Sequence, residues 1–65
     1  MRNKQGLTVN ERINKDLELA EMTNDAEHRK LLAHMAIAVA EFAIDFDLIT
    51  YKEWGDFTRR AFACL

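Results

Sequence analysis

Three groups of residues in this chain are of types that do chemistry. His28 and His34 are the two imidazoles, Cys64 is the single thiol, and His34, Glu41 and Asp45 recur along one stretch at intervals of seven and four. Two metal ligands on one helix must stand three or four residues apart to share a face, and the two histidines are six apart. Asp25-Ala-Glu-His28 has the carboxylate-x-x-His spacing used in di-iron helical bundles, yet it occurs once and lacks matching glutamates to face it. His34, Glu41 and Asp45 span about three helical turns, too far for one to orient another, and no nucleophile accompanies them. They read as a solvated strip on an otherwise greasy helix.

Other chemistry is removed by composition. The chain has no serine and no proline, and its only glycines are Gly6 and Gly55, so serine nucleophiles and glycine-rich phosphate cradles are excluded. Cys64 is second from the last residue rather than fourth, which does not fit a prenylation motif, and only Arg59 and Arg60 lie near it to lower its pKa. Packing is the expected role of Cys64. The chemistry-bearing residues therefore predict no enzyme, no metal site and no cofactor.

Charge offers a different candidate. Residues 1 to 15 carry Arg2, Lys4, Arg12 and Lys15 against Glu11, a net +3, while the remainder has five cations against ten acids, a net −5. Arg2, Lys4, Arg12 and Lys15, with Arg59 and Arg60 if the last helix ends near the first, form a candidate contact for nucleic acid or an acidic partner. Against it stand the overall charge of −2, the acidic face Glu11, Glu18 and Glu21, and the lack of a polar base-reading helix.

The elements that position these residues announce themselves by their caps. Thr8-Val-Asn-Glu11 and Thr50-Tyr-Lys-Glu53 both fit the capping box, in which the threonine oxygen accepts the N3 amide proton and the glutamate accepts from the cap's own amide. Asn24-Asp-Ala-Glu27 is the same device with Asn24 as cap. The signals predict helices over about 9–22, 25–45 and 51–64, in a single three-helix domain over 8–65 that follows a flexible arm over 1–7. Links this short make successive helices antiparallel or sharply angled neighbours.

The middle helix contains LLAHMAIAVAEFAIDF, a run of sixteen residues with only His34, Glu41 and Asp45 outside the hydrophobic set. At 1.5 Å per residue it reaches about 24 Å, short of the roughly 30 Å of a bilayer's hydrocarbon core, and its polar residues argue further against a span. On a helical wheel its apolar arc covers roughly 240°. Leu32, Met35, Val39, Phe42 and Phe46 form a bulky ridge, and Ala33, Ala36, Ala40 and Ala43 form a second seam flanked by Ile37 and Ile44.

Two neighbours cannot cover so wide an arc. Helix 1 offers Val9, Ile13, Leu17 and Ala20, and helix 3 offers Tyr51, Trp54, Phe57, Ala61, Phe62 and Leu65. A chain of 65 residues buries only about 60% of its unfolded surface, and a lone cysteine provides no internal disulfide, so a second copy is the expected staple. The preferred arrangement buries the ridge inside the protomer, with Leu32, Met35, Val39, Phe42, Phe46, Trp54, Phe57 and Ala61 as core. Ala33, Ala36, Ile37, Ala40, Ala43 and Ile44 then form the self-interface of a homodimeric helical bundle. The reverse, seam inward and ridge outward, is its close rival.

The fold expected is thus all-α, with a long, mostly buried central helix. No motif carries a resemblance to a known family. The free thiol and the lack of an apolar leader or membrane span predict a cytoplasmic protein. The function expected is that of a small non-catalytic interaction protein, a regulator, adaptor or inhibitor acting on a larger protein; the alternative is a dimeric nucleic-acid-binding regulator that uses its basic arm.

Overall fold

The computed structural model describes residues 8–65, and they form three helices: α1 (Val9–Met22), α2 (Ala26–Asp45) and α3 (Tyr51–Ala63). The expected arm over 1–7, with Arg2 and Lys4, lies outside the described residues. α1 and α3 each open with a complete capping box. The Thr8 hydroxyl accepts from the Glu11 amide while the Glu11 carboxylate accepts from the Thr8 amide, and Thr50 and Glu53 repeat the exchange. Two amide protons that have no partner inside the helix are satisfied at each start.

α2 begins one residue later than its sequence suggests. Asp25, not Asn24, is the cap; its carboxylate accepts from the amides of Glu27 at 3.0 Å and His28 at 3.2 Å. The physical reason is upstream: the Thr23 hydroxyl accepts the Asp25 amide proton, which fixes Asp25 as the turning residue and gives a negative charge to the positive end of the helix dipole. At its far end α2 closes in a Schellman motif. The Leu48 amide donates to the Ala43 carbonyl and the Asp47 amide to the Ile44 carbonyl, with Asp47 in the left-handed region at φ 58°.

The core lies where both outer helices meet one face of α2. Ile13, Leu17 and Ala20 come from α1, Ala33, Ala36, Ala40 and Ala43 from α2, and Ala61 from α3, with Ile49 of the connecting loop and the half-buried Trp54 and Phe57 packed against them. Bulk is supplied by α1 and α3, and α2 contributes small side chains that let them come close. The Cα atoms extend 32 × 25 × 13 Å, a flat arrangement of three helices.

This packing corrects the preferred assignment of the two faces of α2. Ala33, Ala40 and Ala43 are 0% exposed and Ala36 1%, so the alanine seam is inside the protomer and closed to a second copy. Ile37 and Ile44, expected at the self-interface, are half-buried against the same core. Met35, Phe42 and Phe46, expected inside, are 39%, 59% and 64% exposed. Leu32 and Ala61 are buried as core residues, and Val39, Trp54 and Phe57 are half-buried against them. α2 is therefore buried along one face of the protomer and open along the opposite one. Two helices crossing a single face approach most closely over alanine, and that preference outweighs burying the larger ridge from one side.

Candidate interaction surface

The outer face of α2 is built by helical spacing alone. Leu31, Met35, Ala38, Phe42 and Phe46 follow one another at intervals of four, three, four and four, and all are exposed. Phe42 and Phe46 stack on each other with ring centroids 4.6 Å apart and planes tilted by 33°. The strip lies roughly opposite the alanine seam on the wheel. Along one edge run Glu27, Lys30, His34, Glu41 and Asp45, also exposed, with the acid Glu27 in the first turn, Lys30 and His34 before the middle of the helix and two acids after it.

α3 carries a second exposed strip of Tyr51, Phe62 and Leu65, with Gly55 on the same side of the helix. A Cβ built on Gly55 meets nothing within 4 Å, so no neighbour in the protomer requires a glycine there. Such glycine in a helix costs about 1 kcal/mol relative to alanine.

Several charged residues are paired between and along the helices. Arg60 of α3 donates to both carboxylate oxygens of Glu21 in α1, at 3.0 and 3.2 Å, and its remaining nitrogen donates to the Asn14 side-chain oxygen at 2.6 Å. The Arg60 hydrogen bond holds the Glu21 carboxyl below its ordinary range. The Asn10 side-chain amide donates to Glu53, whose carboxyl is lowered mainly by the Thr50 amide of its capping box. Asn10, Asn14 and Glu21 thus form a polar edge of α1 that aligns it in parallel with α3.

Two of the other candidate cations, Arg12 and Arg59, have carboxylate neighbours too, as does Lys52. Arg12 lies 3.7 Å from Asp16, Arg59 3.3 Å from Asp56, and Lys52 3.6 Å from the same Asp56. Lys15 is exposed, and Arg2 and Lys4 fall outside the described residues. Arg60 does end beside α1, as the basic-patch reading requires, but it is engaged by Glu21 there. Cys64 is half-buried against the core as the closing residue of α3.

Sequence reasoning missed two features. Asp16 is 4% exposed within the apolar face of α1, and its Oδ2 accepts no hydrogen bond. Its position three residues after Ile13 and one before Leu17 was the available signal. The Asn14–Arg60–Glu21 link was signalled only by the spacing of polar residues on one edge of α1, which does not name the partner.

Among the described residues, no three histidine, cysteine or carboxylate side chains gather to hold a metal ion, and no helix is long and apolar enough to cross a membrane. The chain matches no protein-family model, and comparisons with curated proteins and with solved structures find no significant match.

Proposed function

We propose that this protein is a small non-catalytic interaction protein, a regulator, adaptor or inhibitor that works by presenting helical surface to a larger protein. The observation that supports this reading is surplus apolar surface on a finished core. With Ile13, Leu17 and four alanines of α2 enclosed, ten large hydrophobic side chains among the described residues remain exposed; Leu31, Met35, Phe42 and Phe46 align along α2, and Tyr51, Phe62 and Leu65 lie on one side of α3. Contiguous exposed apolar strips on a small chain mark interfaces. Homodimerisation belongs to the same reading, since two separate strips allow one to join copies and the other to meet a larger protein.

The α3 strip tests the larger partner. A photo-cross-linker at Tyr51 in the producing cell is expected to trap one discrete adduct, lost with Phe62→Glu and kept with Lys52→Glu. A diffuse smear insensitive to Phe62→Glu overturns the reading. Titration of the purified protein with mixed DNA and RNA at two salt concentrations addresses the alternative. Binding that weakens steeply with salt would establish phosphate contact and favour the nucleic-acid regulator. The carboxylates beside Arg12, Arg59 and Arg60 predict no such binding.

A further inference from the structure

We propose that the outer face of α2 pairs with the same face of a second copy, antiparallel, about a twofold axis that lies between the two helices at the level of Ala38. The inference rests on the interaction reading above and assigns one of its surfaces to one partner.

The residues of the outer face are ordered almost symmetrically about Ala38. The exposed apolar side chains stand at seven and three residues before it (Leu31, Met35) and at four and eight after it (Phe42, Phe46). Reversing the helix about Ala38 sets Leu31 at the level of the copy's Phe46 and Met35 at the level of its Phe42, each within one residue, about 1.5 Å along the axis. The crossing itself falls on the one small side chain in the strip, which lets two backbones approach.

From Lys30 onward the flanking polar side chains follow the same order, a cation and an imidazole before Ala38 and two carboxylates after it, and Glu27 falls beyond the end of the copy's helix. Lys30 and His34 stand eight and four residues before Ala38, and Glu41 and Asp45 stand three and seven after it. A twofold axis perpendicular to two antiparallel helices brings a flank of one against the same flank of the other. Lys30 therefore meets the copy's Asp45, and His34 meets the copy's Glu41, twice in each dimer. In a parallel pair the twofold axis would run along the helices and set the charged flank of one against the copy's opposite flank, where Leu32 and Val39 stand, so pairing of Lys30 with Asp45 belongs to the antiparallel arrangement. Self-complementary contact of this kind closes after two copies and leaves the α3 strips free.

Absolute mass by light scattering, over micromolar to hundred-micromolar protein, tests this. The wild type is expected to be a dimer, and Ala38→Glu, whose side chain points to solvent in the protomer, a folded monomer by circular dichroism. Lys30→Glu alone and Asp45→Lys alone are each expected to raise the dimer dissociation constant about tenfold, and the two together in one chain to restore it. Residues 30 and 45 lie about 22 Å apart along one helix and cannot touch within a chain, so rescue reports contact between copies. A wild-type monomer at the highest concentration overturns the second copy as occupant. A dimer that survives Ala38→Glu, or single variants that the double variant fails to rescue, overturns the antiparallel α2 interface. None of these results affects the Tyr51 cross-linking, so failure here and failure of the interaction reading are told apart.

Discussion

Asp16 is a carboxylate in an apolar place. It is enclosed between Ile13 and Leu17, its Oδ2 accepts no hydrogen bond, and its nearest cation, Arg12, is itself 44% exposed and 3.7 Å away. Burying such a charge costs more than one loose ion pair returns, and Arg12 can return to water once the acid is gone. Asp16→Leu is therefore predicted to stabilise the fold by about 1 kcal/mol, a rise of several degrees in Tm for a chain of this size, read by thermal denaturation. Gly55→Ala is predicted to add up to about 1 kcal/mol, because the position is helical and its Cβ meets nothing within 4 Å. If Gly55 instead serves close approach by a partner, the same variant weakens the Tyr51 cross-link while the isolated chain gains stability.

At the scale of elements, the helix ends and the tie between α1 and α3 add to what the apolar core provides. Asp47 closes α2 with a positive φ that costs a side-chain-bearing residue about 1 kcal/mol, so Asp47→Gly is predicted to stabilise by up to that amount in urea unfolding. The Arg60–Glu21 pair gives a pH signature. The folded Glu21 pKa lies below its ordinary 4.5, so the pair's contribution is full above the unfolded value and is lost as pH falls through the lower, folded value. Both side chains are about a third or more exposed, which limits the effect to about 1 kcal/mol or less. Urea unfolding of the wild type and Arg60→Gln should differ most at pH 7, and the part of the difference that comes from Glu21 should fade as pH falls through the lowered Glu21 value. The helix starts at Thr8 and Thr50 were legible because a capping box is local, needing only four consecutive residues. The start of α2 was displaced by one because Thr23, outside the motif, decides which residue turns.

For the whole molecule, the governing fact is that both faces of α2 are apolar and the protomer covers one. Leu31, Met35, Phe42 and Phe46 on the other are exposed. If the copy covers it, dimer formation is linked to folding, and Tm is predicted to rise with protein concentration in the wild type and to be independent of it in Ala38→Glu. The candidate site was half legible for the same reason. Periodicity alone identified the strip-forming residues Met35, Phe42 and Phe46, and it also identified the alanine seam, but it ranked the two faces in the wrong order.

The sequence by itself determined the all-α class, the approximate helix spans, the excess apolar arc of α2 and the lack of a serine nucleophile or glycine-rich phosphate loop. These follow from cap chemistry, from the 3.6-residue period and from which residue types are present, all of which are local or compositional. Only the tertiary structure decided that Ala33, Ala36, Ala40 and Ala43 face inward, that Arg60 is held by Glu21, and that Asp16 is enclosed. Each depends on the shape and spacing of residues far apart in the chain. Ile13 and Leu17 on one side, and Trp54 and Phe57 on the other, bring enough bulk that α2 must offer them its smallest face.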